Sequence, residues 1–311
     1  MSERVPLSLV LFLIGALACG DKPEHAVPRD ADTADDGGDD GGDDGGDDGG
    51  DDTGSGGLDC SAGDGVQFTA ADGTASDWTA SFAAGSDGAP ALVEIADDGV
   101  LDVCGGPWFV TLDVTAAVLT IRGDGSLSES VLSGGGSGPI VSLRTAASSL
   151  TVQDLEMTDA LACFGSAITA ADMAEPCDRE AGPLGAAIVL RRVYLHDNAY
   201  DVGGGVVGVT GGSVVLEDTL IADNLGHAVF AVGADVSCSG SSSIEAGMLR
   251  NSKSGVWLSS AGAESGYALT SDACDWGENG QEDVRLGGET YFNDFGDDAT
   301  FVCDARSETC E

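Results

Sequence analysis

Positive charge is what this chain lacks most. Only 12 of its 311 residues are Lys or Arg, against 54 Asp or Glu, giving a formal net charge of −42 at pH 7. That balance excludes a general surface for nucleic acid or anionic lipid, both of which need clustered cations, and leaves cations as the partners its field favours. Histidine is scarce, with three in the chain, and no Cys-x-x-Cys pair occurs, so the usual zinc frameworks are excluded. The apolar run from Leu7 to Ala18 is shorter than the about 20 residues that a membrane-spanning helix needs. Windows with apolar residues at i, i+3, i+4 and i+7 are missing, which excludes a fold built on long amphipathic helices.

What the start of the chain does contain is a short export-like segment. Arg4 precedes the run Leu7–Ala18, broken only by Ser8 and Gly15, and small residues lead to Cys19. This length suits the apolar region of a signal peptide, so residues 1–18 are expected to be removed. The stretch Ala16-Leu17-Ala18-Cys19-Gly20 resembles the bacterial lipobox, with Ala16 standing where that pattern prefers Leu. The resemblance implies lipidation of Cys19 and a membrane partner reached through the lipid anchor, since more than one acyl chain makes anchoring stable. Gly20 in place of Asp after the Cys implies delivery to the outer membrane or cell surface by the same family's sorting pattern. Ordinary secretion is the alternative.

Setting Cys19 aside leaves eight cysteines: Cys60, Cys104, Cys163, Cys177, Cys238, Cys274, Cys303 and Cys310. An even set in an exported chain reads as disulfides. Sequence alone cannot fix the connectivity. Pairing between neighbours is the simplest scheme, with Cys163 to Cys177 clipping an inserted loop and Cys303 to Cys310 tying down the tail.

Residues 19–57 contain almost no apolar side chains, and Asp-Asp-Gly-Gly repeats from Asp35 to Asp52. Such a segment cannot bury enough surface to offset its ordering entropy, so a solvated, self-repelling, disordered tether is expected. Calcium is the metal its paired Asp and Gly bring into view. The calcium-binding nonapeptide repeat also needs an aliphatic residue in each copy, and none lies between Asp35 and Asp52, so no cofactor is expected. Residues 60–311 still hold 38 acidic and 9 basic side chains. The part expected to fold is itself acidic.

Beyond Leu58 the chain turns to short alternating runs of Val, Leu, Ile, Ala and Thr punctuated by Gly and Asx, which are strand signals. Several segments share one register. Leu150-Thr-Val152-Gln-Asp-Leu155-Glu-Met157-Thr-Asp159-Ala160 aligns with Ile188-Val-Leu190-Arg-Arg-Val193-Tyr-Leu195-His-Asp197-Asn198 and with Val214-Val-Leu216-Glu-Asp-Thr219-Leu-Ile221-Ala-Asp223-Asn224. A weaker copy places Ile244, Leu249 and Asn251 at the positions of Leu216, Ile221 and Asp223, and Ala117–Asp124 reads as a truncated one. A second apolar strand opened by Gly follows the copies, as in Gly205-Val-Val-Gly-Val, Gly226-His-Ala-Val-Phe-Ala-Val and Gly255-Val-Trp-Leu.

Repeats of this size, with two strands, an Asx turn and a Gly turn, make one coil of a solenoid that buries its inward residues only by stacking on the next coil. The pattern resembles the right-handed parallel β-helix of the pectin-lyase-like class, over about residues 100–285. The expected fold is therefore all-β, a right-handed parallel β-helix over 101–286 with covers at 58–100 and 287–311. Leu150, Val152, Ile188, Leu190, Val214 and Leu216 should form interior stacks, while the intervening Thr, Glu, Arg and Asp face solvent. Phe68, Trp78 and Phe82 are candidates for the N-terminal cover, and Trp276, Tyr291, Phe292, Phe295 and Phe301 for the C-terminal one. The rival is an antiparallel sandwich, which seldom repeats an eleven-residue template in register.

Many proteins of the class that this chain resembles cut acidic polysaccharides, yet their site patterns are missing. Polygalacturonases carry Asn-Thr-Asp, Asp-Asp, Gly-His-Gly and Arg-x-Lys on adjacent coils; here Gly226-His227-Ala228 stands alone, with no Asn-Thr-Asp and no Arg-x-Lys. Arg191-Arg192 is a weak candidate for the base of a lyase. His196 and His227 lie near Asp197 and Asp223 and read better as polar turn residues than as general bases. Trp257 and Tyr194 could form an aromatic platform for sugar rings, though packing or surface filling is the simpler role. No catalytic residue is assigned. The favoured function is a non-catalytic surface or periplasmic lipoprotein displaying a rod that binds carbohydrate or another surface component. The alternative is a polysaccharide lyase or glycoside hydrolase with an unrecognised site. Three or more Asp, Arg or Lys side chains gathered in one lateral groove would favour the enzyme.

Overall fold

The structure is a computed structural model and describes residues 58, 60–125, 129–172, 182–200, 204–241, 245–259, 267–288, 290–293 and 295–311. The expected signal peptide and tether, Cys19, Cys177 and Ile244 lie outside them. The described chain is all-β, with one short helix at Thr79–Phe82 and a single 3-10 turn at Cys60–Ala62. A sheet of 23 strands links most of it.

Most of that sheet is parallel and runs as two ladders joined through Trp108–Val114. The first stacks Gly99–Cys104, Val118–Arg122, Ser149–Thr158, Ala187–His196, Ser213–Glu217, Asp235–Ser239 and Ala268–Gly277. The second stacks Ala91–Ile95, Trp108–Val114, Val141–Leu143, Gly165–Ala170, Gly205–Thr210, His227–Val232, Val256–Ser259 and Val284–Leu286. The chain alternates between the ladders, and each return adds a strand parallel to the last. Parallel pairing begins at Ala91, inside the segment expected to be a cover, and its last strand ends at Leu286.

Columns of like residues explain why these segments pair. Leu119, Leu150, Ile188, Val214, Val236 and Leu269 are successive partners, each at most 2% exposed. Ile121, Val152, Leu190, Leu216 and Cys238 form the next inward column two residues along, as the period-2 side-chain alternation requires. On the second ladder Leu112, Val141, Ile168, Val207, Val229, Val256 and Val284 make a third. Complete burial of each aliphatic side chain contributes about 1.5–3 kcal/mol. A one-residue slip of any strand would turn these columns outward, which is what holds the register.

The weaker copy is aligned differently from the sequence expectation. The partner of Leu216 is Cys238, not Ile244, and the partner of Ile221 is Met248, with Leu249 one place on beside Ala222. The cause is extra chain between the two half-strands Asp235–Ser239 and Gly247–Leu249, which Ser213–Glu217 and Leu220–Ala222 lack. A gapless template cannot accommodate it.

Two corners recur on the first ladder. Asp154, Arg192, Asp218 and Ala273 share one left-handed position, with φ of 59°, 48°, 48° and 54°. Asp159, Asp197, Asp223, Arg250 and Glu278 share the other, at 52–58°. Asp tolerates this conformation better than most residues, which accounts for its recurrence there. Behind the second corner runs a buried asparagine ladder. Asn198 Nδ2 donates to Asn224 Oδ1 at 3.1 Å, Asn224 Nδ2 to Asn251 Oδ1 at 2.9 Å, and Asn251 Nδ2 to Asn279 Oδ1 at 3.2 Å. Their remaining amide donors reach backbone carbonyls of the corner.

Pairing turns antiparallel at both ends. Gly65–Ala70 pairs with Gly99–Cys104, and its Phe68 stacks on Trp78 at 4.8 Å, while Phe82 meets Trp108 edge-on. Gly296–Asp304 pairs with Ala268–Gly277, where Phe301, Phe295 and Trp276 cluster. Disulfides join Cys60 to Cys104, Cys238 to Cys274 and Cys303 to Cys310, and Cys163 is also disulfide-bonded.

Candidate functional site

The residues most able to do chemistry lie where the first ladder bends. A cavity of about 650 Å³ is lined by Leu58, Cys60, Ser61, Asp102, Val103, Arg122, Gly123, Asp124, Gly125, Glu129 and Asp154. Asp102 and Arg122 are strand partners on adjacent rungs, so the sheet register brings their side chains together. Asp154 enters from the left-handed corner of the next strand. None of Asp102, Arg122 and Asp154 was singled out from the sequence as a candidate for chemistry. Their signal is opposite charge at matching places of neighbouring copies, which is readable only after the alignment is right.

Asp102, Arg122, Asp124 and Asp154 together satisfy the condition of three or more charged Asp or Arg side chains in one groove. Their chemistry is nevertheless largely committed. Arg122 Nε and Nη2 bind the two oxygens of Asp102, which is 5% exposed, and this contact holds the guanidinium pKa above its ordinary value. Arg192 approaches Asp154 from the far side with two bonds, at 2.5 and 2.8 Å, and its pKa is raised for the same reason. Each of these two carboxylates thus receives two guanidinium bonds, which fix its orientation and leave less of it to meet a substrate.

The same economy holds along the rest of the first ladder and beside it. Arg191 meets Glu217 at 2.5 Å, Arg250 meets Asp223 in two bonds of 2.9 Å, and Arg144 meets Asp113 at 2.8 Å. Arg191 and Arg192 divide as expected for adjacent strand residues, one on the outer face and one at the corner. Of the eight described Arg and Lys side chains, five are ion-paired in this way.

The two described histidines with candidate roles occupy different ladders. His196 Nδ1 is 2.8 Å from Asp197 Oδ2, and its Nε2 is 2.9 Å from Glu156 Oε1, an ion-pair contact poorly aligned for a hydrogen bond. Desolvation opposes its charge, but Glu156 and Asp197 outweigh that and raise its pKa. Two flanking carboxylates favour the charged form of this ring and occupy both of its nitrogens. His227 is buried, 1% exposed, and its pKa falls to about 4 through desolvation and the nearby charge of Arg285. Its Nδ1 accepts the Ser254 N–H at 3.2 Å, and the Ser254 hydroxyl donates to Glu282 at 2.7 Å. That row spans three rungs, but Ser254 is fully buried, so no substrate reaches it.

Tyr194 and Trp257 do not share a platform. Tyr194 lies on the first ladder stacked on His196, whereas Trp257 lies on the second beside Phe230 and His227. Among the described residues no group of three or more His, Cys, Asp and Glu is arranged to hold a metal ion. The Asp35–Asp52 repeat, where calcium was weighed, lies outside them. Comparison of the chain with protein-family models, curated proteins and solved structures finds no match.

Proposed function

We propose that this chain is an exported lipoprotein, anchored through Cys19 to the outer membrane or cell surface, that displays a non-catalytic right-handed parallel β-helix. In this reading residues 19–57 are the tether, each passage through both ladders is one coil, and the antiparallel strands and aromatic clusters at either end are the covers. Alternation of the chain between two parallel ladders supports the coiled arrangement. The observation that carries the non-catalytic reading is the charge pairing: Arg122, Arg144, Arg191, Arg192 and Arg250 are each bound to a carboxylate contributed by another strand or turn. Cations spent as struts between rungs are not available to hold an acidic sugar. The rod's role is to present its lateral surface to a carbohydrate or protein at the cell surface.

A second reading, a polysaccharide lyase or glycoside hydrolase of the pectin-lyase-like class, draws on the cavity that gathers Asp102, Arg122, Asp124 and Asp154. One experiment separates the two. Purified protein is incubated with a panel of acidic and neutral polysaccharides, with and without calcium, and released reducing ends and unsaturated products are measured. No release is expected. Release that disappears in Asp154→Asn would establish the enzyme. For the anchor, Cys19→Ser should move the protein from the detergent phase into the soluble fraction, and unchanged partitioning would remove the lipoprotein assignment.

A further inference from the structure

Three described basic side chains escape the pairing rule: Lys253, Arg285 and Arg306. Arg306 sits in the terminal turn beside Asp304. The other two lie over aromatic rings instead of carboxylates, Arg285 in the second-ladder strand Val284–Leu286 and Lys253 in the turn before Val256–Ser259. Lys253 Nζ is 4.5 Å from the centre of the Tyr200 ring. The Arg285 guanidinium is 4.2 Å from the centre of Trp257 and 5.3 Å from that of Tyr291.

The register makes these contacts one strip. Phe230, Trp257, Arg285 and Tyr291 are successive strand partners, so their side chains stand in one outward row. Tyr200 and His227 lie alongside, with ring centres 6.4 Å apart, and His227 is 5.1 Å from Trp257. Close approach of Tyr200 depends on Gly226, where a Cβ would come within 2.5 Å of the ring.

A cation over a ring face gains little beside a charge-assisted pair and leaves its charge without a counter-ion. In a chain this acidic, two cations with no carboxylate in salt-bridge contact among the described residues are a local exception. Two acids of this end of the chain are engaged elsewhere: Glu282 takes the Ser254 hydroxyl and Glu308 that of Thr290. Arg285 has five donors, yet its one bond runs from Nη2 to the Gly288 carbonyl at 2.7 Å, and its buried Nε has no partner. The ring faces are covered by the cations, so the strip offers charge rather than open surfaces for stacking sugar.

We propose that Lys253 and Arg285, held by Tyr200, Trp257 and Tyr291, form a docking strip for an extended acidic peptide of a partner protein. Charge complementarity selects the occupant: carboxylates supply the counter-ions that the strip lacks, and bind guanidinium in a two-pronged fashion. An extended chain sets every second side chain on one side about 7 Å apart, so it can present several carboxylates along the row of rings that links Lys253 to Arg285. At physiological ionic strength acidic side chains more than a Debye length of about 8 Å away are largely screened. This inference rests on the reading of the rod as a non-catalytic display surface and names the class of its partner.

The test uses the full chain and fluorescence anisotropy of labelled poly-L-aspartate, with alginate as a carboxylated glycan and dextran as an uncharged one. Poly-L-aspartate should bind, and Arg285→Gln and Lys253→Gln should each weaken it at least tenfold, while Arg191→Gln, an exposed paired arginine, leaves it unchanged. Near-UV circular dichroism of each variant must match the parent; the half-exposed Tyr291→Ala serves as an independent reporter if Arg285→Gln fails to fold. Absence of binding, or binding indifferent to all these substitutions, overturns the proposal. Alginate binding more tightly than poly-L-aspartate through the same residues overturns the choice of peptide. Products released from alginate would instead refute the non-catalytic reading, a separate signal in the same mixtures.

Discussion

Asn224 is where a single side chain holds most of one rung in place. It is 1% exposed, and its Oδ1 accepts from the Asn198 backbone N–H at 2.9 Å and from Asn198 Nδ2 at 3.1 Å. Its Nδ2 donates to the Leu195 carbonyl at 3.0 Å, the Ala222 carbonyl at 2.8 Å and Asn251 Oδ1 at 2.9 Å. Asn224→Ala leaves a buried backbone donor unsatisfied, at about 1–3 kcal/mol, and removes several further bonds of about 0.5–1.5 kcal/mol each. Allowing for partial relaxation, a loss of about 3–5 kcal/mol is expected. Asn224→Asp probes the same geometry with nearly the same volume. A carboxylate there faces the Leu195 and Ala222 carbonyl oxygens in a dry site, so its folded pKa rises well above its unfolded value of about 3.9. The penalty is then full above the folded pKa and relieved as pH falls through it, so this variant should gain stability relative to the parent between neutral and mildly acidic pH. Urea titration of both variants with the disulfides intact is the measurement. Losses below about 0.5 kcal/mol, or an Asp variant without pH dependence, would refute the ladder as a structural element.

The other predictions address the register, a charge and the thiols. Leu216→Ala should cost about 2–5 kcal/mol through the cavity it opens, whereas Glu217→Ala, which loses only a surface pair with Arg191, should cost under about 0.5 kcal/mol in the same titration; equal effects would mean the faces are misassigned. Because the folded pKa of His196 is raised above its unfolded value of about 6.5, its contribution is complete below that value and lost as pH rises through the folded pKa; His196→Gln should flatten this part of the stability–pH curve, and an unchanged curve counts against the Glu156–His196–Asp197 contacts. Non-reducing mass spectrometry should find Cys60–Cys104, Cys238–Cys274 and Cys303–Cys310 linked and no free thiol among the eight; four or more alkylated cysteines would contradict this.

Much of the sheet was legible because its signal is redundant. Leu150, Ile188 and Val214 recur at one template place and prove to be direct strand partners, since a parallel ladder needs like side chains above one another to fill a column. The Gly-opened strands were legible for the same reason, and Val207, Val229 and Val256 are partners. Extra chain defeats this logic. Once residues are inserted between Asp235–Ser239 and Gly247–Leu249, aliphatic character alone no longer distinguishes Met248 from Leu249 as the partner of Ile221. The candidate cavity was not legible at all, because Asp102, Arg122 and Asp154 lie in three different copies and carry no local motif.

The corners show why charge in this chain reads differently in sequence and in space. Each corner has a left-handed residue on several rungs, and Asp fills most of these positions: Asp154 and Asp218 at one, Asp159, Asp197 and Asp223 at the other. Stacked rungs lie about 4.8 Å apart, so a column of Asp alone would line up like charges at close range. The few arginines relieve this strain where they occur in those columns. Arg192 stands at a corner itself and binds Asp154 one rung back, and Arg250 does the same to Asp223. A basic residue in such a column is therefore accounted for by the backbone corner and its acidic neighbour, with no ligand required. Lys253 and Arg285 stand outside both corner columns, one in the turn before Val256–Ser259 and the other on the second ladder, with no carboxylate in salt-bridge contact among the described residues. A carboxylate in salt-bridge contact, rather than scarcity of basic residues, is what distinguishes a strut from a cation available to a partner.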